Sequence, residues 1–254
     1  MASYSSSPFD QVLTNVQASR AWLEQLGVRT SETRLELIEQ TLSTFLADLK
    51  TRSAADVVAE WDWSARQDAY YALVDGAAFS RIHLQLGQLK SNVLRRDELR
   101  RALQGPLVPS SETPSTTDPR NVFMELDLAA TLKRGGVEIT GFDDVRFRFD
   151  STDYVTQCKR PFRSNSVAAN VKRAWEQIDD RAPKGSHLRG IIALAVDKVL
   201  GLDQQRPPTI NNEKELATLV RSYATRFIQD HHSAWEGVDQ GGCRSTIGGD
   251  RTGF

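Results

Sequence analysis

The sequence predicts an α/β chain in two parts: an all-helical N-terminal region, then a mixed sheet flanked by helices. Three observations carry this. Apolar residues recur at helical spacing from Phe9 to Leu103. A stretch rich in Pro, Ser and Thr, Leu107 to Asp118, then interrupts the pattern. Beyond it, Val145, Phe147 and Phe149 alternate strictly with Arg146 and Arg148, the period of a strand with one buried face. The expected division is residues 1–106 as a helical domain, 107–118 as a linker and 119–254 as the sheet domain.

Each element has its own reason. Val12, Val16, Leu23 and Leu26 give a first helix, stopped at Gly27. Ser31 is placed to cap a second, whose stripe is Leu35, Ile38, Leu42, Phe45, Leu46 and Leu49. Ser53 caps a short helix ending near Trp61. A long helix from about Ser64 to Leu89 is expected to bury Tyr70, Leu73, Val74, Ala77, Ile82 and Leu86. A basic helix, Arg95 to Leu103, stops at Gly105-Pro106. In the second part, Asp118-Pro119 opens a helix that ends at Gly135-Gly136. Strands follow at VEIT, DVRFRF and YVTQCK, the last two joined by a turn around Ser151. Ser164 or Ser166 starts a helix with Val167, Val171, Ala174, Trp175 and Ile178 inward. HLRGIIALAVDKVLG reads as a buried central strand, and Glu213 to about Ala234 as a last helix. A three-strand meander and a helical crossover to a fourth strand make a mixed sheet.

Composition narrows the function. The 254 residues are 39% hydrophobic and 26% charged, enough for a sizeable core. The formal charge of -1 announces no global polyanion binder. Two cysteines, Cys158 and Cys243, make neither a disulfide framework nor a zinc site of their own. No apolar run approaches the roughly 18 residues of a membrane span. The start shows no secretory pattern, so a cytoplasmic location and no membrane partner are expected. Basic residues cluster locally: Arg148, Lys159, Arg160, Arg163, Lys172, Arg173, Arg181 and Lys184, with a second group at Lys90 to Arg101. The competing reading of each group is a solvated face.

One small set of residues carries chemistry. Gln157 and Lys159 are two apart on the third strand, so they share a face. A hairpin of the second and third strands brings the start of one near the end of the other, hence Asp144 near both. An aspartate, an oxygen donor and a lysine at one sheet edge are what metal-assisted phosphodiester hydrolysis needs. For Lys159, the bland alternative is an ordinary edge lysine.

Set in this order of elements, Glu125, Asp144 and Gln157-Cys158-Lys159 resemble the PD-(D/E)xK nuclease superfamily. The Q-x-K form is similar to that of Mrr-type restriction endonucleases. The resemblance covers roughly Asp118 to Leu200. It implies a restriction-endonuclease-like sheet and cleavage of DNA in restriction, anti-phage defence or repair, with Mg²⁺ or Mn²⁺ as cofactor. Asp144, Gln157 and the Cys158 carbonyl would hold the metal, Lys159 would be the catalytic lysine, and Glu125 would serve an upstream water or second metal. Arg160, Arg163, Lys172 and Gln177 are the expected nucleic-acid contacts. Phe142-Asp143-Asp144 stands where the family has Pro-Asp, so Asp143 competes with Asp144, which is favoured because it leads into the strand. Gln157 replaces an acidic ligand. The alternative is therefore an inactive nuclease-fold module that binds nucleic acid or protein. The N-terminal helices are the expected surface for a homodimer or another partner.

Overall fold

The computed structural model describes residues 8–89, 93–113, 116–142, 144–181, 188–204 and 212–234. Asp143, Lys184, Lys90, Trp235, Cys243 and the glycine-rich tail lie outside them. The chain forms two compact units, Met1–Cys158 with His187–Ile191, and Lys159–Ser186 with Ile192–Phe254. The boundary expected at Leu107–Asp118 falls inside the first unit.

The first unit begins with five helices: α1 (Pro8–Gln25), α2 (Arg34–Leu49), α3 (Ala54–Glu60), α4 (Trp63–Leu86) and α5 (Arg96–Ala102). Helix α4 packs against α1, α2 and, further on, α6 (Asp118–Arg134). The reason is its small-residue face. A Cβ on Gly76 would stand 3.0 Å from Val16, 3.3 Å from Ile38 and 3.4 Å from Leu42, so glycine lets three helices meet closely there. The stripe expected on α4 is therefore displaced. Ala69, Ala72, Gly76 and Phe79 are buried, whereas Tyr70 and Val74 are 44% and 45% exposed and Ala77 faces solvent. Close approach outweighs side-chain size in choosing the inward face. The cap of α2 is Thr33 and not Ser31. Ser53 caps α3 as expected, accepting from the Asp56 amide.

Buried charge holds this unit together. Arg34 is 1% exposed, lies over the Phe123 ring at 4.4 Å and donates to the Ala102 carbonyl at 2.7 Å. Its guanidinium reaches Asp75 at 3.6 Å. Asp75 also accepts from Arg120 at 3.0 Å, and Arg120 in turn pairs with Glu112. Arg120 donates as well to the carbonyls of Pro106 and Leu107. The stretch expected to be a free linker is thus fixed to α6 where it is described: Leu107, Pro109 and Glu112 are buried.

Strands β1 (Glu138–Gly141), β2 (Val145–Phe149), β3 (Thr152–Lys159) and β4 (Arg189–Leu194) form one sheet in that order. The fold is α/β, with N-terminal helices and a mixed sheet flanked by helices. β1–β2 and β2–β3 are antiparallel, so the parallel pair of the mixed sheet is β3–β4. Asp150 and Ser151, at φ 47° and 59°, close the β2–β3 hairpin as a two-residue turn between paired Phe149 and Thr152. Val145 and Phe147 are buried, and so is Ile139 opposite Phe147, while Arg146 and Arg148 are exposed. Helix α6 packs on β1 and β2, hence on this apolar face.

In the second unit, helix α7 (Val167–Arg181) presents Val167 and Val171 to a cluster that includes Ile192, Leu194 and Phe227 of α8 (Glu213–Asp230). β4 is not a central strand: it ends the sheet order, and Ile191 is 39% exposed. His231 is not at an exposed helix end either. It is buried against Phe227, with Nε2 at 2.9 Å from Ser164 Oγ and Nδ1 at 3.0 Å from the Phe227 carbonyl.

Candidate functional site

The β2–β3 register builds the site. Its last rung joins Val145 to Thr156. Continued one step beyond that rung, the register would set Asp144 opposite Gln157. Asp144 has φ 86°, a left-handed backbone rarely adopted by a residue with a side chain, and its Oδ2 is shielded from solvent. Backbone of this kind gathers at functional sites because the surrounding fold must hold it. Gln157 is 1% exposed. The pair is therefore an aspartate at the mouth of the hairpin and an amide sunk behind it.

Main-chain direction adds a third oxygen. The Lys159 carbonyl accepts from the Ala195 amide at 2.9 Å, on the β4 side. Carbonyls alternate along a strand, so that of Cys158 turns to the β2 side, past the last rung. The Cys158 side chain is buried, as expected of a small strand residue. Parallel pairing through the Ala195 bond sets Lys159 beside Leu194, on the face where Ile192 and Leu194 meet α7. By strand alternation Gln157 projects to the same side of β3 as Lys159.

Other expected members stand elsewhere. Glu125 is on α6, which covers the apolar face of β1 and β2. It shares a helix flank with Asp118, seven residues earlier. Arg101 grips Asp118 through bonds of 2.7 and 3.1 Å. Those bonds, and secondarily the charge of Glu125, hold the Arg101 guanidinium above its ordinary pKa. Glu125 thus feels the charge of Arg101 on α5. Neighbouring Asp127 pairs with Arg81 at 2.8 Å. Asp143 lies outside the described residues.

The expected nucleic-acid contacts divide as well. Arg163 and Lys172 are exposed on the second unit. Arg160 is buried, and its guanidinium is taken by Asp197, with Nε at 3.1 Å, so it is corrected from phosphate contact to structural ion pair. Gln177 is half-buried on α7, and its Oε1 accepts no hydrogen bond among the described residues.

Among the described residues no group of three or more His, Cys, Asp or Glu side chains gathers as a metal cage. The donors at the hairpin mouth are of another kind: one carboxylate, one amide oxygen and one carbonyl. All are hard oxygens, and Mg²⁺ is commonly held by one or two carboxylates, with waters and substrate phosphates completing its shell. These donor types are ones that such an ion takes.

No family model, curated protein or solved structure matches this chain. Arg146, which the alternation of DVRFRF sets on the face opposite Val145 and Phe147, was not among the expected site residues.

Proposed function

We propose that this protein is a metal-dependent nuclease that hydrolyses DNA phosphodiester bonds, with Asp144, Gln157, the Cys158 carbonyl and Lys159 as its working groups. The observation that supports the reading is the β2–β3 register, which ends at Val145–Thr156 and, continued one step, would bring Asp144 opposite Gln157. Bound there, Mg²⁺ supplies polarisation of the scissile phosphate and a more acidic water. Asp144 contributes the negative charge that retains the cation. Gln157 and the Cys158 carbonyl contribute neutral oxygens, which orient without adding charge. Lys159 offers an ammonium group to steady charge developing on the phosphoryl oxygens. A role in restriction, anti-phage defence or repair is consistent with this chemistry.

A second reading has its own support. Gln157 stands where an acidic ligand is expected, and the charge of Glu125 acts on Arg101. An inactive nuclease-fold module that binds nucleic acid would retain the hairpin and lose the metal. Two measurements separate the readings. Mn²⁺ titration should raise the melting temperature of the parent and not of Asp144→Ala. Plasmid nicking should fall about a hundredfold or more in Lys159→Ala with its fold retained. Indifference of the parent to Mn²⁺, or equal nicking by Lys159→Ala, rejects the hydrolytic reading.

A further inference from the structure

The two arginines of β2 look equivalent in sequence and are not equivalent in the fold. Both project from the face opposite the core, and both are exposed. Arg148 is engaged: its Nε lies 2.9 Å from Asp153 and its Nη1 3.9 Å from Glu138. The hydrogen bond to Asp153, then the charges of Asp153 and Glu138, hold its guanidinium above the ordinary pKa. Arg146 makes no hydrogen bond or ion pair among the described residues.

The stem of Arg146 is nonetheless positioned. A register shift between Ile139 and Gly141 sets Gly141 opposite Arg146 on β1. A Cβ on Gly141 would stand 3.7 Å from Arg146 Cδ and 3.8 Å from its Cβ, so the arginine stem runs over bare backbone there. On its other side Arg146 pairs with Val155. Gln157 is then its diagonal neighbour on the same face, about 7–8 Å away between backbones and within reach of a long side chain. A charged head without a side-chain partner among the described residues thus stands on a supported stem, on the face of Gln157.

We propose that Arg146 is a phosphate-binding residue. Its guanidinium takes the non-bridging oxygens of the DNA phosphate next to the one presented to Asp144 and Gln157. This inference rests on the nuclease reading above and deepens it. Guanidinium geometry matches phosphate through paired N–H donors, and contacts of this type fix the position of the strand without reading its sequence. Arg148 is the internal control, because its charge is already answered by Asp153.

The test is anisotropy of a fluorescent DNA duplex bound to the full chain across a range of NaCl concentrations. Each phosphate contact contributes about 0.9 to the slope of log affinity against log salt. Arg146→Ala should lower that slope by about 1 and weaken binding to all sequences alike. Arg146→Lys should keep the slope and recover only part of the affinity. Arg148→Ala should leave the slope unchanged. A parent-like slope in Arg146→Ala overturns the proposal, as does an equal loss in Arg148→Ala, which would mean diffuse charge. If the parent binds no DNA with or without Mn²⁺, the nuclease reading itself falls. If it binds and only the Arg146 prediction fails, that reading stands.

Discussion

Val145 pairs with Thr156 on the last rung of the β2–β3 ladder, and that register continued one step would set Asp144 opposite Gln157. This makes Gln157 the natural place to restore the missing acid. Gln157→Glu puts a carboxylate at a position that is 1% exposed. Without metal, a buried charge beside Asp144 should lower stability and raise the carboxyl pKa. With Mn²⁺ the same charge adds an anionic oxygen ligand. We expect the metal-induced rise in melting temperature to be larger in Gln157→Glu than in the parent, from a lower metal-free starting point. A smaller rise would remove Gln157 from the cation shell.

Glu125 gives the converse expectation. Its flank of α6 faces Arg101, which is held by Asp118. Glu125→Gln should therefore leave Mn²⁺ stabilisation and nicking within about twofold of the parent, since an exposed or half-exposed ion pair contributes about 0–1 kcal/mol. Loss of metal response in this variant would restore Glu125 to the site.

The buried charges of the first unit should be far less forgiving. Asp75 is 3% exposed and serves both Arg34 and Arg120. Asp75→Ala leaves two buried guanidinium groups facing one carboxylate, Glu112. Breaking a buried pair in this way costs about 3–5 kcal/mol. Urea unfolding should show a midpoint loss of that size, whereas Asp97→Ala, whose pair with Arg100 is exposed, should shift it little.

How much of this was legible in the sequence follows the physics of each signal. The hairpin was readable because alternation fixes both strand and face: Val145 and Phe147 had to go inward, and Arg146 outward. The meander order followed from short turns. The face of α4 was not readable. Tyr70 and Val74 look like core, but Gly76 sets the contact distance, and only the partners Val16, Ile38 and Leu42 reveal that. Arg160 reads as a surface cation because its carboxylate is 37 residues away, and pairing across such a separation leaves no local pattern. The juxtaposition expected of Asp144, Gln157 and Lys159 rests on period and register alone, and that of Glu125 on helix rotation, which a single apolar flank does not fix.

His83 sets a pH dependence whose sign can be worked out. Its ring stacks on Trp22 at 5.1 Å, and burial holds its pKa below the ordinary value. The unfolded chain therefore binds the proton more readily than the native protein. The His83 contribution to stability is complete above the unfolded pKa, about 6.5, and is lost as pH falls below it toward the lower native value. Thermal melts should show this loss between neutral and mildly acidic pH, and His83→Leu should flatten that part of the profile. An unchanged profile in His83→Leu would assign the dependence to other groups.

Ser151 offers a test of the hairpin itself. Its φ of 59° follows Asp150 at 47°, so both turn residues sit in the left-handed region. Two-residue turns of this type favour Asn or Asp first and glycine second, because glycine adopts positive φ without a Cβ clash. Ser151→Gly relieves that clash while giving the unfolded chain more freedom. For a non-glycine residue the left-handed penalty is about 1–2 kcal/mol, against a glycine entropy cost of roughly 0.5–1 kcal/mol. The balance favours the glycine variant by a few tenths to about 1 kcal/mol. Because the turn fixes the register that brings Asp144 across from Gln157, the stabilised hairpin should keep its nicking activity. Ser151→Val adds a β-branched side chain at the same φ and should destabilise the protein and reduce nicking together. Denaturant midpoints for the two variants should therefore move in opposite directions. A destabilised Ser151→Gly would mean that the turn is not built on paired left-handed residues, and the register drawn from it would lose its anchor.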